Sequence, residues 1–187
     1  GHDHGAQHAH QHGAIDPHLW LSAENAKTVV ALLLERVSLI DPENETRYRQ
    51  NAAGLIKKIE KTRQDIGEAL GPVRDLPFMV FHDAYQYFET EYSLRAIASV
   101  ALDPGRAPGA RHLGILRELV RTERIRCLFT EPQFEPRAAP IIAEDSGIRT
   151  GMLDPLGASL KPGPSHWCEL MLGLKNDLLD CLGKAAH

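Results

Sequence analysis

The chain opens with two long stretches of helical periodicity and continues with four short apolar runs, each followed by another helical pattern. From Ser22 onward, Ala26, Val29, Val30, Leu33, Leu34, Val37 and Ile40 recur with a 3.6-residue period. That spacing predicts an amphipathic helix with Ser22 as its cap. Asp41-Pro42-Glu43 restarts a helix, Asp41 as N-cap and Pro42 in the first position. Tyr48, Ala52, Leu55, Ile56, Ile59, Ile66 and Leu70 form its apolar stripe, and Gly71-Pro72 stops it. At the usual helical rise this second helix is about 43 Å long, enough to join two lobes.

After Pro77 the texture changes. Phe78–Phe81, Leu94–Ala101, Ile125–Phe129 and Ile148–Leu153 read as buried strands. Helical patterns follow them over Ala84–Tyr92, Ala110–Thr122, Pro136–Asp145 and Ser165–Leu182. Four β-α units in a row predict an α/β lobe, (β/α)4, with a mostly parallel four-stranded sheet covered by helices. Ligands of such sheets bind beyond the carboxyl ends of the strands. The residues expected there are His82-Asp83, Asp103-Pro104-Gly105, Thr130-Glu131-Pro132 and Asp154-Pro155-Leu156-Gly157. Carboxylates alone would suit Ca²⁺ or Mg²⁺, and added imidazole moves the preference to zinc.

Composition narrows the function classes. A chain of 187 residues with 43% hydrophobic content builds one domain, or one lobe plus connecting helices. The net charge of −4 argues against a nucleic-acid partner. No apolar run is long enough to span a bilayer. The start carries neither Met nor a signal peptide, which predicts a processed or truncated piece. Five histidines, His2, His4, His8, His10 and His12, crowd the first twelve residues. Interleaved Gly, Ala, Gln and Asp give no core-forming content, so residues 1–13 read as a flexible loop that attracts metal loosely. The interruptions set it apart from an unbroken purification tag. Cys127, Cys168 and Cys181 form no C-x-x-C, which excludes a zinc finger. One disulfide plus a spare thiol, or three buried thiols, fit the spacing equally.

Four motifs occur in order: Asp16-Pro17-His18-Leu19-Trp20-Leu21-Ser22, Phe81-His82-Asp83-Ala84-Tyr85-Gln86-Tyr87-Phe88, Phe129-Thr130-Glu131-Pro132-Gln133-Phe134 and Leu153-Asp154-Pro155-Leu156-Gly157. In them the chain resembles the zinc-binding solute-binding proteins of bacterial zinc ABC transporters, the ZnuA-like cluster A-I family. The resemblance runs over essentially the whole chain. It implies half of a two-lobed protein: a His-rich loop (1–13), the end of the amino-terminal lobe (14–40), a long linking helix (41–71) and the carboxy-terminal lobe (72–187). It implies that the metal sits between the lobes and that the first ligand lies upstream of this chain. His18 and His82 fall on the second and third ligand positions, and histidine at the third favours zinc over manganese. Asp154 falls where several relatives place a carboxylate ligand. Cys127 and Cys181 match a cysteine pair that is bridged in some zinc-type members, leaving Cys168 free. The implied function is extracytoplasmic zinc capture, in the periplasm or anchored at a membrane surface. Zn²⁺ would be the cargo, an ABC permease the partner, and no catalysis is implied.

The remaining residues take supporting roles. Glu131 reads as a group that orients a ligand or caps a helix, and Asp83 as the cap of the next helix or an orienter of an imidazole. Asp154 is equally a turn former, because Asp-Pro is a turn signal. Tyr85, Tyr87 and Phe88 read as core and cleft wall, and His112 and His166 as surface residues. Arg111, Arg117, Arg121, Arg124 and Arg126 read as a solvated face. Two other classes compete. A zinc-dependent hydrolase would use Glu131 or Asp83 as general base, although no H-E-x-x-H signature supports it. A metal-buffering or adhesive surface protein could rest on the His tract alone.

Overall fold

The computed structural model describes residues 16–101, 108–135, 137–144 and 146–184. The His tract and Asp103-Pro104-Gly105 lie outside these residues. The order is α1 (Ala23–Ile40), α2 (Glu45–Leu70), β1 (Phe78–Val80), α3 (Gln86–Tyr92), β2 (Ala96–Ser99), α4 (Ala110–Thr122), β3 (Cys127–Thr130), α5 (Ala138–Ala143), β4 (Arg149–Met152) and α6 (His166–Leu182). The four strands pair in parallel, in the order β2-β1-β3-β4. The (β/α)4 lobe expected from the sequence is therefore present. Its strands are shorter than the apolar runs suggested, because the pairing that defines a strand ends where the chain turns into its helix.

Strand alternation divides the core in two. Phe78 and Val80 of β1, with Cys127 and Phe129 of β3, face α2, α3 and α6, where Ile66, Leu70, Phe88, Leu174 and Leu178 pack. Met79 and Leu128 point the other way, onto Leu116, Val120 and Ile142 of α4 and α5. Cys127 is bonded to Cys181 in the last turn of α6, with Cα atoms 6.2 Å apart; Cys168 is free. Gly151 lies beside this bridge. A Cβ there would stand 2.7 Å from the Phe129 ring and 3.2 Å from the Cys181 Cβ, so only glycine lets β4 approach.

The two amino-terminal helices depart from the sequence reading in instructive ways. Ser22 caps α1 as expected, its hydroxyl accepting the Asn25 N–H at 3.3 Å. Asp41 does not cap α2. Residues Pro42–Asn44 form a 3-10 turn, and the Asp41 carboxylate accepts the Tyr48 hydroxyl and the Asn44 amide instead. The α2 stripe is buried at Ala52, Ile59, Ile66 and Leu70. The α1 stripe is not: among its residues only Ala23 is buried, while Leu33 is 58% and Ile40 83% exposed. Its periodicity forms the helix, but no element among the described residues covers the outward face.

Glu89 of α3 is the clearest electrostatic strain in the core. It lies among Phe78, Phe88, Leu94, Leu153, Leu174 and Leu178. Burial pushes its carboxyl up from 4.5 to about 7, Asp83 adds repulsion, and the Ala96 N–H opposes both. A raised acid binds its proton more tightly in the folded state. The stability it confers is whole below about pH 4.5 and is lost as pH rises through about 7. We therefore expect Glu89→Gln to stabilise the protein by up to about 3 kcal/mol at pH 8 and by little at pH 4.5. Urea midpoints at the two pH values check this, and equal gains at both would contradict it.

Candidate metal centre

The site lies where the segment before α1 crosses the carboxyl ends of β1 and β3. His82 lies two residues past the end of β1, and Glu131 immediately follows β3. His18 reaches the same rim from Asp16-Pro17-His18, held by a 3-10 turn over Leu19–Leu21. The two imidazoles come together across 64 residues of sequence, their Nε2 atoms 3.4 Å apart and ring centroids 5.2 Å apart.

Each imidazole is bonded behind by a carboxylate. His82 Nδ1 stands 2.7 Å from Glu131 Oε1, and His18 Nδ1 stands 2.6 Å from Asp16 Oδ1. The Glu131 side chain is 1% and the Asp16 side chain 7% exposed, so both bonds are shielded from water. Burial alone would raise the Asp16 pKa. It is nonetheless lowered, because the His18 backbone N–H, the Gln86 amide and the His18 ring all bond the charged form. An ionised carboxylate only accepts, so each Nδ1 carries the proton and donates it. That fixes the tautomer and leaves the Nε2 lone pairs facing each other. Two lone pairs at this range repel unless a cation lies between them. Nitrogen ligands 2.0–2.1 Å from a tetrahedral zinc stand about 3.3–3.4 Å apart, which is the spacing found here.

Aromatic side chains surround the pair. Trp20 stands edge-on to His18 at 5.3 Å, and Phe134 edge-on to His82 at 5.7 Å, with Phe81 stacked on Phe134. Tyr85, 3% exposed, lies beside His82. Its phenol is held protonated by burial first and then by the Glu131 charge. Tyr87 donates its hydroxyl to the Asp16 carbonyl, and Phe88 is core.

Other expected roles need correction. Asp154 has the contacts of the turn former that its sequence equally allowed: its carboxylate accepts the N–H groups of Leu156 and Ala158 and the Gln133 amide in the β4–α6 loop. Among the described residues no group of three His, Cys, Asp or Glu side chains is placed to hold a metal. Asp83 caps nothing. Helix α3 starts at Gln86 with Tyr85 in the cap position and no side-chain cap bond, and Asp83 is exposed. His112 and His166 are half-buried rather than on the surface. His112 Nε2 lies 3.1 Å from the Val100 carbonyl, and the His166 ring packs against Gly157. Arg117 is not simply solvated, because it donates to the Ile141 carbonyl and ties α4 to α5. The roles of Asp16, Trp20, Gln86 and Trp167 were not assigned from sequence. Asp16 could have been, since a carboxylate two residues from a ligand histidine in a turn is within reach of its Nδ1.

The fold is thus a parallel four-stranded α/β lobe with two carboxylate-backed imidazoles paired on its rim. Comparison with known proteins makes this specific. The chain belongs to the family of the periplasmic component A of zinc-uptake complexes, which it matches over residues 1–181. It is 39% identical over 172 residues to the high-affinity zinc uptake system protein ZnuA of Brucella suis, covering 92% of this chain and 52% of that protein. The corresponding protein of Haemophilus ducreyi is 32% identical, with 89% and 54% covered. The chain thus spans about half the length of these relatives. Among solved structures it superposes on a crystal structure of ZnuA with a TM-score of 0.78 at 27% identity, covering 91% of this chain and 62% of that one. A zinc-bound ZnuA deletion mutant gives 0.76 at 25% identity, with 92% and 63% covered.

Proposed function

We propose that this chain is the carboxy-terminal half of an extracytoplasmic zinc-binding protein, which captures Zn²⁺ and hands it to the permease of an ABC transporter without chemical change. The observation that carries this reading is the 3.4 Å separation of two Nε2 atoms whose Nδ1 partners are both carboxylates. Two imidazoles do not complete a tetrahedral zinc. The remaining ligands come from the upstream half of the protein, residues 14–40 closing that lobe and 41–71 joining it to residues 72–187. The same upstream half covers the bare apolar face of α1, where Leu32, Leu33, Leu39 and Ile40 are exposed. The protein works in the periplasm, free or anchored to a membrane surface, and no helix among the described residues is long and apolar enough to cross one. A disulfide suits that oxidising compartment.

The His-rich start supplies further, weaker zinc equivalents, because His2, His4, His8, His10 and His12 must give up chain entropy to converge. Titration of the full-length protein and of a deletion lacking residues 1–13 tests this division. The tightest event survives the deletion and the weak equivalents disappear. Loss of the tightest event would assign the site to the wrong histidines.

The carboxylates behind the imidazoles set a further expectation. Outer partners of ligand histidines are worth about 10–100-fold in metal affinity. Asp16→Asn and Glu131→Gln each lower zinc affinity by roughly that factor, measured by competition with a chelator at neutral pH. Affinity unchanged in both variants would separate the carboxylates from the site.

A further inference from the structure

We propose that Trp20 is a positioning residue for His18: its indole fastens the ligand-bearing segment to the carboxy-terminal lobe and so maintains the spacing of the two imidazoles. This rests on the reading of His18 as a zinc ligand.

The segment that carries His18 belongs to no strand and follows no strand of this lobe. It is joined to β1 only through α1 and α2, so chain connectivity does not hold it against His82. Gln86 and Tyr87 bond Asp16 to α3 at the start of the segment, and Trp20 fastens its other side. Its Nε1–H donates to the Pro155 carbonyl at 2.8 Å. Its own carbonyl accepts the Trp167 Nε1–H at 2.7 Å. One residue is thereby bonded at two ends to two parts of the lobe, the β4–α6 loop and the first turn of α6. Its ring stands edge-on against His18, with centroids 5.3 Å apart. Movement of the indole therefore displaces the imidazole.

The receiving loop is itself fixed by Asp154. Its carboxylate accepts from Leu156, Ala158 and Gln133, and this holds the buried Pro155 with its carbonyl presented to Trp20. Asp154 thus reaches His18 through Pro155 and Trp20. The arrangement gives the Asp-Pro motif and the two tryptophans one common purpose.

The test uses the full-length protein with Trp20→Phe, which keeps an aromatic ring and removes the N–H, and Trp167→Phe, which removes the second bond. Leu116→Ala is the control, since Leu116 is buried in the core on the other face of the sheet. Zinc affinity is measured by chelator competition, and the histidine ring resonances by long-range ¹H–¹⁵N NMR of the metal-free protein. Trp20→Phe lowers zinc affinity about tenfold, as loss of one buried hydrogen bond would. It broadens or shifts the His18 ring signals and leaves those of His82 in place. Trp167→Phe acts in the same direction. Leu116→Ala lowers the unfolding midpoint and leaves zinc affinity intact. Wild-type affinity and wild-type His18 signals in Trp20→Phe overturn the proposal. So does a loss of affinity in Leu116→Ala equal to that in Trp20→Phe, which would reduce the effect to general destabilisation. Should His18→Ala and His82→Ala both leave zinc affinity unchanged, the zinc reading fails, and the metal-free NMR spectra still decide whether Trp20 fastens His18.

Discussion

His82→Ala lowers the zinc affinity of the full-length protein by a few hundredfold to a thousandfold. Folded four-ligand zinc sites bind with roughly 10–16 kcal/mol, so one ligand is worth about 3–4 kcal/mol. His82 has the more constrained position of the two imidazoles. It lies two residues past the end of β1, its side chain is 12% exposed, and its Nδ1 is bonded to the nearly inaccessible Glu131. The alanine variant also leaves the Glu131 carboxylate buried without its imidazole, which adds a cost in stability. Calorimetric titration reads the affinity, and thermal unfolding without metal reads the structural share. A tight event unchanged in His82→Ala would mean that zinc is held elsewhere.

The second large effect concerns the bridge between β3 and α6. Removing it with Cys127→Ala and Cys181→Ala together destabilises the protein by about 4 kcal/mol in the chain-entropy account. The closed loop is long, with the two cysteines 54 residues apart. Both ends are buried, Cys127 fully, so the bridge ties the last helix to the strand whose end carries Glu131. Urea unfolding of the oxidised protein against the double variant measures the difference. Thiol counting under denaturing, non-reducing conditions gives one free group, Cys168; three would show that the bridge is absent.

The fold was legible in the sequence wherever one physical signal dominated. The short apolar runs Phe78–Phe81 and Ile125–Phe129, the helical stripe of α2 and the turn residues after each strand gave the order and type of elements. Capping was legible at Ser22 and misleading at Asp41, where Tyr48 and Asn44 compete for the same carboxylate. The stripe of α1 was legible as a helix, but not as an uncovered face, because periodicity does not say what the face meets. His18 and His82 were recognisable from their motifs. Their partners differ: Glu131 was recognisable as an orienting group at a strand end and Asp16 was within reach by its two-residue spacing to His18, whereas Trp20 acts through contacts that only the folded chain creates. Asp154 shows the limit most clearly. Its residue type and position fit a ligand and a turn former equally, and only the folded chain shows the Leu156 and Ala158 N–H groups that engage its carboxylate.

The most direct test of the account is an anomalous-scattering experiment at the zinc absorption edge on crystals of the full-length, zinc-loaded protein. The account predicts a peak between the rings of His18 and His82, about 2.0–2.1 Å from each Nε2, with Nδ1 of each ring still bonded to Asp16 and Glu131. A tightly bound zinc with neither imidazole within bonding distance, or one bound through Nδ1 with the carboxylates displaced, would contradict it.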